Sequence, residues 1–398
     1  MRIAVVTRDL PLPPGTGLNL VIHNLVRGLA ARHEVRFFIL QRGYYNYKVP
    51  GNANDPALFP WAYEECPAGA SAAGPATFSR PTRYYGIQPG KIDWLAARLD
   101  AFGAERIVGF DFNLAPYLAL LPNKVPKILD AVDSEILYYK NQIAAGHLKT
   151  SVLKHLAAAW LMGREHISRF EAVVTVSDAD SRNIARATGA RNVFTVPNGV
   201  DHEFFAPNAA IARQAEQVVF CGSLSFVPNQ QAIVWFVEKC WDRIKAKQPG
   251  AQLLVIGKSP SADLKPRLES HAGVECLGYV DDIRTHILGA AVSIAPMVSG
   301  SGIKNKILEA WALGVPVVAT PLAVRGLSHT NGANIMIGAT PEELTRQVVS
   351  IMRDAALRER MGAAGRAYVT EHYTWDRSRE DFNAIVENFR PARVSRVA

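Results

Sequence analysis

Val298-Ser299-Gly300-Ser301-Gly302-Ile303-Lys304-Asn305-Lys306-Ile307-Leu308-Glu309-Ala310, running on to Gly314-Val315-Pro316-Val317-Val318-Ala319-Thr320, is the most informative part of the chain. It reads as glycine loop, helix, strand, and Ile294-Ala295-Pro296-Met297 closes a strand just before it. Gly300 and Gly302 let a backbone come close to a ligand. The helix is expected to open near Gly302-Ile303, where unpaired N–H groups and the positive dipole end favour an anion. Lys304 and Lys306 add positive charge, and Glu309 stands inside the helix as a fixed acceptor. A phosphate at the helix start and a ribose hydroxyl on the carboxylate would together hold a nucleotide. The plainer alternative is a tight loop with a solvated helix face.

Outward from this motif the same grammar repeats. In the first half, Arg2–Thr7, Glu34–Leu40, Arg106–Val108, Lys127–Leu129 and Ala172–Val176 read as strands, with helices over Leu18–Ala31, Trp94–Phe102 and most of Tyr138–Phe170. Residues 43–90 are rich in Tyr, Pro, Gly and Ala and read as a long insertion with short helices. After the turn Pro197-Asn198-Gly199-Val200-Asp201 and a linker to about Glu216, strands Val218–Cys221, Gln252–Ile256, Val274–Leu277 and Val292–Ala295 alternate with helices. Such alternation implies α/β architecture with two doubly wound, Rossmann-like parallel sheets. The domains expected are 1–198, with a closing helix within 376–398 packing back on it, and 199–375.

A chain of 398 residues suits two domains of ordinary size. The first 198 residues carry 22 Lys+Arg against 16 Asp+Glu, so most of the net charge of +8 lies there. A basic first half fits an anionic partner such as a lipid headgroup or a pyrophosphate-linked acceptor. The basic residues are scattered without interleaved aromatics, which argues against nucleic acid. Cys66, Cys221, Cys240 and Cys276 follow no metal spacing and fit buried thiols in a reducing cytoplasm. No apolar run is long enough to span a membrane, and Met1-Arg2-Ile3-Ala4 enters a strand directly. The expected location is cytoplasmic, with peripheral contact to the inner membrane face. The helical stretch Leu148–Phe170, with Lys149, Lys154, Arg164 and Arg169, is open to two readings: a core helix or a bilayer-surface helix.

The opening motif resembles the donor-binding segment of the retaining glycosyltransferases of family four, which have the GT-B fold of two Rossmann-like domains facing a central cleft. That segment usually carries two glutamates eight positions apart. Glu309 matches the second, and Ser301 stands where the first would be. The pattern Gly-Ser-Gly-Ile-Lys-x-Lys-x-Leu-Glu-Ala resembles a sub-branch associated with exopolysaccharide assembly. The resemblance covers nearly the whole chain and is strongest from Ser177 to Leu327.

Further positions follow from it. Pro13-Pro14-Gly15-Thr16-Gly17 lies where the family has a glycine loop against the donor phosphates, with Gly17 favoured over Gly15; a simple tight turn is the alternative. Gly222 and Ser223 open the first strand-to-helix loop of the second domain. The family commonly has Gly-Arg there and a Lys further on, whereas this chain has Ser223 and Asn229. Lys304, with the amides at Gly302-Ile303, is the first candidate to supply that missing charge and stabilise the pyrophosphate, and Lys306 is the second. The backbone at Gly278-Tyr279 resembles the segment that holds the nucleotide base. Asp130 and Asp133, at a strand's carboxyl end, stand about where many members have a His. Either would orient the acceptor hydroxyl or contact the sugar, and capping a helix from Ile136 is the alternative for Asp133. Asp178-Ala179-Asp180 follows Ser177 at a helix start and reads as dipole-stabilising acids rather than a metal site.

The implied function is metal-independent transfer of a sugar, with retention, from a nucleotide sugar to a hydroxyl of a glycan or lipid-linked acceptor. No cofactor is expected beyond the nucleotide sugar as co-substrate. The rivals are a nucleotide-sugar epimerase on the same fold and a non-catalytic nucleotide-sugar-binding protein. A nicotinamide dehydrogenase fits worse, because the first loop lacks Gly-x-Gly-x-x-Gly and no acid closes the second strand.

Overall fold

A computed structural model describes residues 1–12, 17–41, 59–69, 79–146, 148–258 and 261–392. The chain divides into two compact units, Met1–Pro197 with Trp375–Ala398, and Asn198–Thr374.

The first unit holds strands β1 (Arg2–Thr7), β2 (Glu34–Ile39), β3 (Ala62–Glu65), β4 (Arg106–Phe110), β5 (Lys127–Val132), β6 (Ala172–Thr175) and β7 (Val193–Thr195). They form one sheet in the order β3-β2-β1-β4-β5-β6-β7, every pair parallel. Its helices are α1 (Gly17–Ala30), α2 (Arg80–Tyr84), α3 (Pro89–Phe102), α4 (Ala115–Ala119), α5 (Glu135–Ala144), α6 (Thr150–His166) and α7 (Asp178–Thr188). Period-two alternation divides each strand between two cores. Ile3 and Val5 face one cluster with Val21, Ile22, Phe382 and Ile385, while Ala4 and Val6 face another with Leu95, Leu118 and Met162.

The second unit holds β8 (Gln214–Cys221), α8 (Val227–Phe236), α9 (Asp242–Lys247), β9 (Gln252–Ile256), α10 (Leu264–Glu269), β10 (Val274–Gly278), α11 (Ile283–Gly289) and β11 (Ala290–Ala295). It continues through α12 (Asn305–Ala312), β12 (Val317–Ala319), β13 (Met336–Ile337), α13 (Pro341–Arg353) and α14 (Ala355–His372). The sheet order is β10-β9-β8-β11-β12-β13, again parallel throughout.

The closing helix, α15 (Trp375–Asn388), belongs to the first unit. It packs on α1 at Gly28, where an added Cβ would lie 2.9 Å from Arg379 Cβ. Asn383 Nδ2 donates to the Gly28 carbonyl at 3.0 Å in the same place.

Several elements depart from the sequence reading. The insertion 43–90 contains an edge strand, β3, paired in register with β2. Its outward Glu64 meets Arg36 and Arg98, so polar pairing hides the strand's alternation. Helix α3 begins at Pro89, five residues earlier than expected, because proline suits a first helical turn. Strand β4 runs on through Gly109 to Phe110. Helix α12 opens at Asn305, not at Gly302-Ile303, because Gly300 (φ 107°) and Gly302 (φ 69°) hold left-handed backbone that a helix excludes.

Candidate functional site

The glycine motif of the second unit forms a loop between β11 and α12. Thr320 Oγ1 donates to the Met297 carbonyl at 2.6 Å, and buried Ser299 is bonded to Gln231 Oε1. Lys304 is the N-cap residue of α12 and offers no side-chain cap. Its ammonium turns back onto its own loop, donating to the carbonyls of Ser301 and, at 3.0 Å, of Gly302. Lys304 thus binds the loop to itself, and Ile303 is buried.

Lys306 takes a different route. One residue into α12, it reaches under the β8–α8 loop, where Nζ donates to Asn229 Oδ1 at 2.9 Å and lies 4.0 Å from the centre of the Phe220 ring. Asn229 in turn donates to the Ser223 carbonyl at 2.9 Å, so Lys306, Asn229 and Ser223 form one chain of bonds. Gly222 is fitted to this arrangement: a Cβ there would meet Asn229 Nδ2 at 2.8 Å and Lys306 Nζ at 2.9 Å.

Three positions along α12 from Lys306 stands Glu309. Burial pushes its carboxyl up to about 7, against the pull of the Lys306 charge. Burial likewise brings Lys306 down to about 7, with Cys221 and Glu309 opposing and Lys304 adding to the shift. A cation and a carboxylate in one desolvated turn is an arrangement typical of binding sites. Tyr279 follows the end of β10 after Gly278 (φ 73°), and 66% of its surface is exposed. Asp282 caps α11 by accepting from Arg284 N at 2.9 Å and pairs with the Arg284 guanidinium, so it serves the helix.

In the first unit Asp130 is buried, and Oδ1 accepts from the Val132 amide at 2.9 Å. That bond holds Val132 at φ 60°, a conformation that costs a β-branched residue energy. Burial pushes the Asp130 carboxyl up to about 7, the Val132 amide opposing and Asp133 adding to the rise. Asp130 therefore shapes the turn rather than reaching solvent. Asp133 follows that turn and is half-buried. It does not cap the next helix: Ser134 does, accepting from Leu137 N at 3.2 Å, and α5 starts at Glu135 rather than Ile136. Gly17 begins α1, where an added Cβ would meet nothing within 4 Å, and Gly15 lies outside the described residues. Asp178 and Asp180 sit in the first turn of α7, where Asp180 accepts from the Ser134 amide at 3.0 Å and Asp178 from the Thr195 hydroxyl at 2.7 Å.

Sequence reasoning missed a polar group beyond the carboxyl ends of β1, β4 and β5. Asn113 Nδ2 donates to Asp111 Oδ1 at 3.0 Å and to Glu135 Oε1 at 2.5 Å. Tyr85 Oη donates to Glu135 Oε2 at 3.2 Å, and Arg8 stands 4.0 Å from Asp111. Asp111 itself has φ 108°. Burial raises the Glu135 carboxyl to about 7, and Asp111 adds to the rise, while Asn113, Tyr85 and Arg8 oppose it. The available signal was Phe110-Asp111-Phe112-Asn113. Ending the strand at Val108 placed these polar residues out of range of the sheet's ligand-bearing edge.

Residues 215–354 match the model of "Glycosyl transferases group 1", and residues 16–199 match that of a "Glycosyl transferase 4-like domain". A relative from Corynebacterium glutamicum, a GDP-mannose-dependent monoacylated alpha-(1-6)-phosphatidylinositol monomannoside mannosyltransferase, is 26% identical over 54% of this chain. The match takes in 61% of that relative's own length. Among solved structures, sucrose-phosphate synthase from Thermosynechococcus elongatus superposes with a TM-score of 0.74 at 16% identity, covering 98% of this chain and 99% of that one. HepE of Anabaena, solved with UDP, has a TM-score of 0.70 at 14% identity, covering 97% of this chain and 100% of that one. These likenesses show the two-domain GT-B architecture. With a glycosyltransferase model matching each half, the chain belongs to the GT-B glycosyltransferases.

Proposed function

We propose that the protein transfers a sugar from a nucleotide sugar to a hydroxyl of a glycan or lipid-linked acceptor, with retention, in bacterial polysaccharide or glycolipid synthesis. The observation that carries this reading is Lys306. Its ammonium sits under the β8–α8 loop, where the sequence lacks the cations common in the resembling family, and Glu309 follows on the same helix. In this reading the donor's pyrophosphate lies over Gly222, Ser223 and the loop Gly300-Ser301-Gly302, and its ribose hydroxyls meet Glu309. Lys306 stabilises charge as it develops on the leaving phosphate. A fixed cation in a desolvated site does so at little reorganisation cost. Lys304, spent on its own loop, acts by keeping Gly300 to Ile303 in shape, which places it as a positioning residue.

Retention then needs no nucleophilic carboxylate, because the leaving phosphate can accept the acceptor's proton on the face it departs from. Neither a metal nor another cofactor has a role in this scheme. Donors to try first are GDP-mannose and UDP-glucose. The first is suggested by the name of the Corynebacterium relative, the second by the UDP-bound structures of HepE.

We further propose attachment to an anionic membrane surface through α6. Leu153, Trp160 and Leu161 are 40% or more exposed on that helix, beside exposed Lys149, Lys154 and Arg164. Among the described residues no helix is long and apolar enough to cross a membrane.

The test is product analysis with each donor and a mixed acceptor pool. Release of nucleoside diphosphate together with an extended glycan, its new anomeric centre matching the donor's, supports the reading and should survive chelation of metals. Isomerised donor without transfer would instead establish an epimerase.

A further inference from the structure

The first sheet carries a second, cationic group of side chains at its carboxyl edge. Arg8 follows β1, Gln41 follows β2 and Cys66 follows β3. Backbone bonds keep these three in the plane of the sheet: Gln41 N donates to the Arg8 carbonyl at 2.8 Å, and Cys66 N donates to the Ile39 carbonyl at 2.8 Å. Lys91 enters from the first turn of α3 and donates to Gln41 Oε1 at 3.3 Å. Only 8% of Lys91 is exposed. Among the described residues its ammonium donates to this neutral amide.

Burying an ammonium without a counter-ion is costly, and buried charges are normally paired. Among the described residues the charge that acts on it, Arg8, is of the same sign. Burial holds the Lys91 ammonium below the ordinary lysine range, and Arg8 pushes it the same way, with the Cys66 thiol opposing. Two cations converge at the edge of a parallel sheet where ligands of such folds bind. On the other side of Arg8 the edge turns acidic, with Asp111, Asn113 and Glu135 offering acceptors and a donor for hydroxyls.

We propose that Lys91, with Arg8 and Gln41, forms an anion subsite that takes a phosphate or carboxylate carried by the acceptor, while Asp111 and Glu135 take hydroxyls of the same molecule. This deepens the transferase reading and rests on it. The anion is either the phosphate of a lipid-linked acceptor or the carboxylate of an acidic sugar; both need the same cations.

The test titrates sn-glycerol 1-phosphate and, separately, methyl glucuronate into the full chain by calorimetry, with a nucleoside diphosphate held at saturation to occupy the donor site. Wild type should bind at least one of the two. Lys91→Met should weaken that binding about tenfold, and Lys91→Arg should restore it to within about threefold. Binding of the phosphate ester alone assigns a phosphorylated acceptor, and binding of the glucuronate alone an acidic-sugar acceptor. The bound anion should also slow alkylation of Cys66, the one half-buried cysteine beside the subsite. Thermal stabilisation of Lys91→Met by the nucleotide, equal to that of wild type, shows that the variant is folded and its donor site intact. If neither anion binds wild type, or Lys91→Met binds it equally well, the subsite does not exist. Failure of wild type to bind any nucleotide would overturn the transferase reading instead.

Discussion

The ammonium of Lys306 lies 2.9 Å from the position a Cβ on Gly222 would occupy, so the strand-loop turn after β8 and the start of α12 are shaped to one another. A lysine on one element fixes the loop of another through Asn229, and the glycine makes room for it. Gly222→Ala must displace the ammonium or the amide. We expect a loss of about 1–3 kcal/mol in stability, the range for overpacking, and a weaker response to nucleotide. Denaturant titration with and without nucleotide measures both; an unchanged midpoint in each would show that the contact carries no weight.

Lys306 and Lys304 should separate in kinetics. Lys306→Met removes the charge aimed at the leaving phosphate, and kcat should fall on the order of 100-fold or more. Lys304→Ala releases the Ser301 and Gly302 carbonyls and should act chiefly through a higher KM for donor, with kcat reduced less than tenfold. The opposite ranking in steady-state assays would reassign the two roles.

Asp130 gives stability a pH dependence of known sign. Its carboxyl is raised in the folded state to about 7, chiefly by burial, whereas an unfolded aspartate titrates near 4. The folded chain keeps a proton that the unfolded chain releases. This contribution to stability is therefore complete below about pH 4 and is lost as pH rises through about 7. Asp130→Asn keeps an oxygen for the Val132 amide and removes the titration. We expect the variant to match wild type near pH 4 and to exceed it by about 2 kcal/mol at pH 8. Parallel stability curves for the two proteins across that range would contradict this.

The α6 surface predicts lipid dependence. Wild type should sediment with vesicles containing anionic phospholipid at low salt and less at high salt. Trp160→Glu with Leu161→Glu should abolish sedimentation while leaving transfer to a soluble acceptor intact. Equal sedimentation with neutral vesicles would rule out the cationic component.

Much of the fold was legible because parallel, doubly covered strands announce themselves as short apolar runs between helical stretches, as in Ile3–Val6 or Val317–Ala319. The edge strand β3 was not, because Glu64 and Glu65 break its apolar pattern and the partners of Glu64, Arg36 and Arg98, are distant in sequence. Strand β4 was cut short at Gly109, a residue that reads as a breaker. In the structure it is the small residue over which Leu118 packs, and a Cβ there would overlap that side chain.

The site followed the same division. The charge and glycine pattern of Gly300–Glu309 pointed to a nucleotide from local sequence alone. The sequence reading set Lys304 ahead of Lys306 for the pyrophosphate, and the direction each side chain takes was not readable. The Lys306 side chain is directed by Asn229, 77 positions away, and that of Lys304 by the left-handed turns at Gly300 and Gly302. Arg8, Gln41, Lys91 and Asp111 come together only through strand order, since β1 lies between β2 and β4. No spacing along the chain carries that information.

Whether α12 and the β8–α8 loop hold a nucleotide is decided by thermal stabilisation of wild type, Glu309→Ala and Lys306→Met by a panel of nucleoside diphosphates and nucleotide sugars. A ligand that binds only the folded state must raise Tm. Wild type should show a clear rise with one nucleotide family, largely lost in both variants. No rise with any member of the panel, or an equal rise in all three proteins, would contradict the assignment of a nucleotide-sugar site to α12 and the β8–α8 loop.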